Sequence, residues 1–135
     1  MKAMDTVLFV CVHNAGRSVM AEALFNRLAD GTARAVSAGT EPAPGPHHEV
    51  VQAMLEAGID VSRHTGRLLS DDMVRGASRV ITMGCAVDEQ ACPAIRYAAA
   101  LDWALDDPKG QPIERVREIR DEIQRRVRLL LDDLR

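Results

Sequence analysis

The chain has 135 residues, 47% of them hydrophobic and 27% charged, and a formal net charge of −3. That balance describes one soluble globular domain with enough chain to bury a core, and its slight negative charge offers no general attraction to nucleic acid or an anionic membrane. Phe9, Phe25, Tyr97 and Trp103 are its aromatic residues, too few for a base-stacking platform. No apolar run approaches membrane-spanning length and the N-terminus shows no signal-peptide cleavage pattern, so the expectation is a cytoplasmic monomer without nucleic-acid or membrane partners.

Strand and helix signals alternate along the chain. Thr6–Cys11 reads as a short apolar strand, and Ser18–Leu28 as a helix carrying Met20, Ala23, Leu24 and Leu28 at helical spacing. Ala33–Ala38 is a predicted strand running into Gly39. The run Glu41-Pro42-Ala43-Pro44-Gly45-Pro46 must be a loop, with Pro46 in the first turn of a helix reaching about Ala57 and Gly58 as its C-terminal cap. Ser70 is a candidate N-cap for a short helix to Gly76. Arg79–Met83 is a predicted strand, Tyr97–Asp102 a weaker one, and Pro112–Leu134 a long helix with Ile113, Val116, Ile119, Ile123, Val127, Leu130 and Leu134 on one face. Its outward charges (Glu114, Arg117, Glu118, Asp121, Arg125, Arg128) read as a solvated face. The alternation predicts an α/β fold, a single three-layer domain over residues 1–135 with a central four-stranded parallel sheet and helices on both faces. Ligands in such folds bind at the carboxyl ends of the strands.

Cys11 falls at such an end. Cys11-Val12-His13-Asn14-Ala15-Gly16-Arg17-Ser18 places a Cys at the end of a strand, an Arg six residues on, and a helix directly after. A strand that breaks through a short loop into a helix leaves backbone N–H groups pointing into the loop, backed by the positive end of the helix dipole. Such a cradle binds a tetrahedral oxyanion and stabilises a thiolate at its base. Arg17 adds a fork suited to bidentate oxyanion contact, and the Ser18 hydroxyl can donate to the thiolate. Cys11 is therefore a candidate nucleophile, and Val12, His13, Asn14, Ala15, Gly16, Arg17 and Ser18 the candidate oxyanion site. The competing reading is a buried packing Cys. Asn14 suits a left-handed backbone position in the loop.

Trp103-Ala104-Leu105-Asp106-Asp107-Pro108-Lys109-Gly110 follows a predicted strand, which brings it to the same rim. Displacing oxygen from an oxyanion requires a proton donor. Asp107, held extended before Pro108, is the first candidate and Asp106 the second; the alternative is a simple Asp-Asp-Pro turn. Cys85 and Cys92 complete the cysteines. Three thiols in an intracellular-type chain favour reactivity over a structural disulfide framework. Their spacings fit no zinc ribbon or finger, and His47 and His48 are adjacent in the Pro-rich stretch, so no metal is expected. If residues 86–91 are helical, Cys85 and Cys92 lie nearly two turns apart, too far for a disulfide, which needs Cα atoms within about 7 Å. Pairing would require that segment to unwind. One nucleophilic Cys with two more near the rim suggests thiol–disulfide relay, against the option that both are packing residues.

These motifs, together with Met20-Ala21-Glu22-Ala23, Ser37-Ala38-Gly39-Thr40 and Ser62-Arg63-His64-Thr65, give the chain a resemblance over essentially its whole length. It resembles the thioredoxin-coupled arsenate reductases, which share the low-molecular-weight protein tyrosine phosphatase fold. The resemblance implies that arsenate binds the Val12–Ser18 loop and Arg17, that the Cys11 thiolate attacks arsenic, and that Asp107 protonates the departing oxygen. It further implies attack of Cys85 on Cys11 with release of arsenite, then of Cys92 on Cys85, leaving a Cys85–Cys92 disulfide for thioredoxin. Phosphate and sulfate are the implied competing oxyanions, and no cofactor is implied beyond thioredoxin as electron donor.

Certain relatives bind potassium through an Asn, a Glu, a Ser and an Asp. Asn14, Glu22 and Ser37 match, but Arg67 stands in the place of the Asp, so no potassium site is expected. Gly16 replaces a second loop Cys common in the phosphatases, and Lys109-Gly110 replaces their tyrosines after Asp-Pro. Both differences lean toward the reductase. The alternatives are a phosphatase acting on phosphotyrosine or small esters, arsenate transfer to a low-molecular-weight thiol with Cys11 alone essential, and a non-catalytic oxyanion-binding module.

Overall fold

A computed structural model describes residues 4–84 and 100–134. Its elements are β1 (Thr6–Cys11), α1 (Arg17–Ala29), β2 (Arg34–Gly39), α2 (His48–Glu56), α3 (Asp71–Arg75), β3 (Arg79–Thr82), β4 (Leu101–Asp102) and α4 (Ile113–Leu134). The strands form a four-stranded parallel sheet in the order β2-β1-β3-β4. β1 is central, and Cys11 pairs with Gly39 at its carboxyl end.

The two-residue period of a strand divides β1 between two apolar layers. Val7 and Phe9 face a large core built with α1, α2 and α4, while Leu8 and Val10 face a smaller one with Leu69 and Val74. Val7, Leu8, Phe9 and Val10 are all fully buried, which is why the strand reads as a continuous apolar run rather than an alternating one. Phe9 anchors the larger layer, its ring 6.1 Å from Phe25 of α1 and 5.5 Å from Trp103, which follows β4. α4 covers this layer with Val116, Ile119, Ile123 and Val127, all buried at helical spacing.

Several predicted boundaries shift. α1 begins at Arg17 rather than Ser18, because Gly16 occupies the N-cap without a side-chain hydrogen bond. It runs one residue past Leu28, and Asp30 closes it in the left-handed region at φ 48°. α2 starts at His48, two residues after Pro46, and α4 starts at Ile113. Ser70 caps α3 by accepting from the Met73 N–H at 3.3 Å. Of the predicted Tyr97–Asp102 strand, Leu101–Asp102 is present and pairs with β3; Tyr97 and the proposed 86–91 helix lie outside the described residues.

The carboxyl end of β2 is pressed against the loop that follows β1. The Gly39 N–H donates to the Arg67 carbonyl at 2.9 Å and the Leu69 N–H to the Gly39 carbonyl at 2.9 Å, drawing residues 67–69 alongside β2. A Cβ at Gly39 would lie 3.0 Å from the Asn14 amide nitrogen and inside the van der Waals envelope of the Val12 carbonyl oxygen. Both neighbours are backbone and cannot rotate away. Gly39→Ala is therefore expected to destabilise the fold by about 1–3 kcal/mol through overpacking; urea unfolding should show a lower midpoint at unchanged slope.

Candidate active site

Residues 12–16 link β1 to α1, and their carbonyls are bonded outward. The N–H groups of Glu41, Ala43 and His47 donate to the carbonyls of Val12, His13 and Ala15 at 2.8, 2.8 and 2.9 Å. In a trans peptide the C=O and the following N–H point in opposite directions. Fixing those three carbonyls outward therefore turns the N–H groups of His13, Asn14 and Gly16 inward. The Pro-rich segment 41–47 is thus the strap that shapes the cradle. Beyond it, the N–H groups of the first turn of α1 have no intrahelical acceptor.

Asn14 holds the loop in place. It sits at φ 50° and is fully buried. Its Nδ2 donates to the hydroxyls of Ser18 (2.8 Å) and Ser37 (2.9 Å), and its Oδ1 accepts from the Arg67 N–H (3.1 Å). A backbone N–H can only donate, which settles the amide orientation. The Nε2 of His64, 3.0 Å from the same Oδ1, must therefore carry a hydrogen. On the other side of that ring, Nδ1 lies 3.7 Å from Glu22, whose carboxylate also takes the Arg67 guanidinium at 2.8 Å. Burial, reinforced by the Arg67 charge, lowers the His64 pKa, against the opposing pull of Glu22 and the bond to Asn14. With Ser18 and Ser37 both accepting from Asn14, their hydroxyl hydrogens remain to be donated elsewhere.

Cys11, 6% exposed, lies at the base of a cavity of about 150 Å³ that it lines with Arg17 and Asp107. Val12, Ala15 and Gly16 supply the loop wall, and His13 and His47 supply imidazole walls. The His13 Nδ1 is 3.1 Å from the Glu41 carbonyl. Arg17 is buried and divides its fork: Nη1 donates to the Leu105 carbonyl at 2.8 Å, Nη2 lies 3.8 Å from Asp107 Oδ2, and Nε has no partner among the described residues. A buried guanidinium nitrogen left unbonded costs free energy unless a ligand accepts from it. Asp107 is half-exposed and accepts the Lys109 N–H at 3.0 Å. Asp106 turns the other way, to Arg115 of α4. A Cβ at Gly16 would lie 3.0 Å from the Pro108 ring and 3.4 Å from His47, so glycine lets the Asp107-Pro108 loop seat directly on the cradle.

The structure thus gathers Cys11, Val12, His13, Ala15, Gly16, Arg17 and Asp107 around one cavity, whereas Asn14 and Ser18 are fully buried, bonded to each other and not among its lining residues. Cys85 and Cys92 lie outside the described residues. Among the described residues no cluster of three or more His, Cys, Asp or Glu side chains could hold a metal ion, and the Arg67 guanidinium is paired with Glu22. Sequence reasoning assigned no role to His64 or to the 41–47 strap: both act through contacts distant along the chain, for which local composition carries no signal.

A His buried as the neutral form penalises the folded state once the unfolded chain begins to bind protons. Below the unfolded pKa of about 6.5 the unfolded state binds more, so stability falls with falling pH and is fully present above that value. His64→Gln keeps a donor toward Asn14 and removes this titration. Urea midpoints between pH 7.5 and 5.5 should decline more steeply in the wild type than in the variant; parallel declines would mean that His64 does not carry the effect.

Comparison with known proteins identifies the family. The family described as "Low molecular weight phosphotyrosine protein phosphatase" matches residues 6–135. A "Putative arsenate reductase" of Halobacterium salinarum is 43% identical over 130 residues, covering 93% of this chain and 89% of that protein. A thioredoxin-dependent arsenate reductase of Corynebacterium glutamicum superimposes with a TM-score of 0.79 at 37% identity, over 98% of this chain and 62% of that one. A mutant of YwlE from Bacillus subtilis, a protein described as an arginine phosphatase, gives a TM-score of 0.85 at 26% identity over 98% and 99% of the two chains. The chain belongs to the low molecular weight phosphotyrosine protein phosphatase family, and its relatives there include arsenate reductases.

Proposed function

We propose that this protein reduces arsenate to arsenite, with Cys11 as nucleophile and thioredoxin as the final electron donor. The observation that supports the oxyanion chemistry is the buried Arg17 Nε, which has no acceptor among the described residues and belongs to a side chain lining the same cavity as the loop with its inward-turned N–H groups. The arsenate reductases among the relatives, one of them thioredoxin-dependent, support reduction as the outcome.

The reaction balances as one hydrogen arsenate, two thiols and two protons giving one arsenous acid, one disulfide and one water. Arsenate enters as a dianion and is held by the loop N–H groups and Arg17. The Cys11 thiolate, stabilised by the same N–H groups and the α1 dipole, attacks arsenic. Asp107 protonates the departing oxygen, which leaves as water. Cys85 then attacks Cys11 sulfur; the electron pair of the S–As bond passes to arsenic, which leaves as arsenite, and a Cys11–Cys85 disulfide remains. Cys92 attacks Cys85, restores the Cys11 thiolate and presents a Cys85–Cys92 disulfide to thioredoxin. Each exchange moves a disulfide between thiols without consuming a further oxidant. Phosphate and sulfate, of the same shape, compete for the cradle.

Phosphate-ester hydrolysis is the second reading. It is favoured by the family match and by the fact that Cys11, Arg17 and Asp107 complete a phosphatase site without Cys85 or Cys92. NADPH consumption with arsenate, thioredoxin and thioredoxin reductase, run beside p-nitrophenyl phosphate hydrolysis, separates the two. Arsenate-dependent turnover should vanish in Cys11→Ser and Cys92→Ser and fall about 10²-fold or more in Asp107→Asn. Hydrolysis of the ester without arsenate turnover would overturn the reductase in favour of a phosphatase. Turnover with a small thiol but not with thioredoxin would replace the relay with direct transfer.

A further inference from the structure

We propose that Arg115, in the first turn of α4, is the positioning residue for Asp107: by holding the Asp106 carboxylate on the far side of the loop, it fixes Asp107 over the oxyanion cavity. The proposal rests on Asp107 being the proton donor of the reaction above.

The loop from Trp103 to Gly110 has no regular secondary structure, so side-chain and turn contacts set its path. Its start is secured by the Trp103 N–H to the Thr82 carbonyl at 2.8 Å. Leu105 is secured by its buried side chain and by its carbonyl, which accepts from Arg17 at 2.8 Å. Among the described residues, Asp107 itself has local or weak polar partners, the Lys109 N–H at 3.0 Å and Arg17 at 3.8 Å. Pro108 seats the loop against Gly16, and Asp106 supplies an anchor on the opposite side. Its carboxylate accepts from Arg115 and lines a second cavity, of about 170 Å³, between the loop and α4. Asp106 lines the cavity against α4 and Asp107 the cavity that holds Cys11, so a carboxylate fixed at α4 keeps its neighbour on the Cys11 side of the loop.

Arg115 is suited to the task because its own base is rigid. Its N–H is bonded to the Pro112 carbonyl at 3.0 Å, and Val116 and Ile119 beside it are buried in the core. Glu118 holds the other arm of the guanidinium at 2.8 Å, which aims the fork at the loop. Glu122, which also lines the second cavity, is engaged by Arg125 and Arg126, and these lower its pKa to about 2. The pair is solvent-exposed and so contributes little to global stability. Its effect falls on the placement of a proton donor, where displacement by about 1 Å can cost about 10²-fold in rate.

The test is the single-turnover rate of arsenite formation by reduced protein without thioredoxin, so that recycling does not mask the step. Arg115→Ala and Asp106→Asn should each slow it about 10-fold or more, while competitive inhibition by phosphate and the melting temperature stay unchanged. In the Asp107→Asn background Arg115→Ala should have no further effect, because the group that it positions is gone. The exchanged pair, Asp106→Arg with Arg115→Asp, should recover part of the rate. Hydrogen exchange of the Lys109 amide, which reports the Asp107 contact without any turnover, should speed up in Arg115→Ala. Unchanged single-turnover rate or unchanged Lys109 exchange in Arg115→Ala would overturn the proposal, as would an equal loss with Asp107 already removed. A wild type that forms no arsenite would overturn the reductase reading instead, with Lys109 exchange still deciding the role of Arg115.

Discussion

Asn14 carries the constraint on which the rest of the site depends. Its backbone adopts φ 50°, a region costly for a side chain with a Cβ, and its amide makes bonds on both ends that offset the cost. Through those bonds one residue joins four pieces of chain: the start of α1 at Ser18, the end of β2 at Ser37, and the two positions His64 and Arg67 beyond α2. The left-handed step reverses the local path of the chain so that successive N–H groups can converge on one centre. The strap at Glu41, Ala43 and His47 adds the complementary restraint by bonding the carbonyls away from that centre. The loop is thus held in one shape by the protein's own bonds, so that under the proposed function an oxyanion binds without reorganisation of the backbone.

Charge in the site is arranged in two layers. In the inner layer Arg17 faces the cavity with a buried guanidinium, tied to the Leu105 carbonyl by one arm and lacking an acceptor at Nε among the described residues. Behind the loop, Glu22, Arg67 and His64 form a cluster in which the carboxylate and the guanidinium are paired at 2.8 Å and the imidazole is kept toward its neutral form. A neutral His64 with a hydrogen on Nε2 supports the Asn14 oxygen without placing another cation behind the cradle. In the proposed reaction the attraction felt by an entering anion then comes from Arg17 and the loop N–H groups. The Arg67–Glu22 pair keeps the carboxylate from opposing that attraction.

The sheet and its helices were legible because their signals are local: an apolar run for β1, a 3.6-residue period for α4, Ser70 as a cap for α3. Boundaries slipped where the chain ends an element without the usual residue. Gly16 caps α1 with no side-chain bond, so Ser18 looked like the beginning, and Asp30 rather than a glycine takes the left-handed C-cap. In the site, Cys11 through Ser18 could be read from residue types in sequence order. The contribution of His64 could not, because it reaches Asn14 across fifty positions of chain. Of the adjacent carboxylates, Pro108 singled out Asp107 ahead of Asp106, but the partner that draws Asp106 away, Arg115, lies on another element and leaves no local signal. The Pro-rich strap announced a loop, but not that its N–H groups would point at the carbonyls of the cradle.

The same electrostatics explain how the proposed reaction could release its product from a site built to hold its substrate. The cradle and Arg17 recognise charge and tetrahedral oxygens, and arsenate presents both as a dianion. Reduction adds an electron pair to arsenic, removes one oxygen as water and yields arsenous acid, which is neutral and pyramidal. The interactions that hold the substrate are charge-assisted, roughly twice as strong as those between neutral partners, and the chemical step itself removes that charge. Affinity therefore falls when the S–As bond breaks, without a lid having to open. A phosphatase on the same scaffold releases phosphate, still an anion of the original shape, and so keeps a product that competes with its substrate. By that physical difference, one oxyanion loop gives weak product inhibition when it works as a reductase and strong product inhibition when it works as a phosphatase.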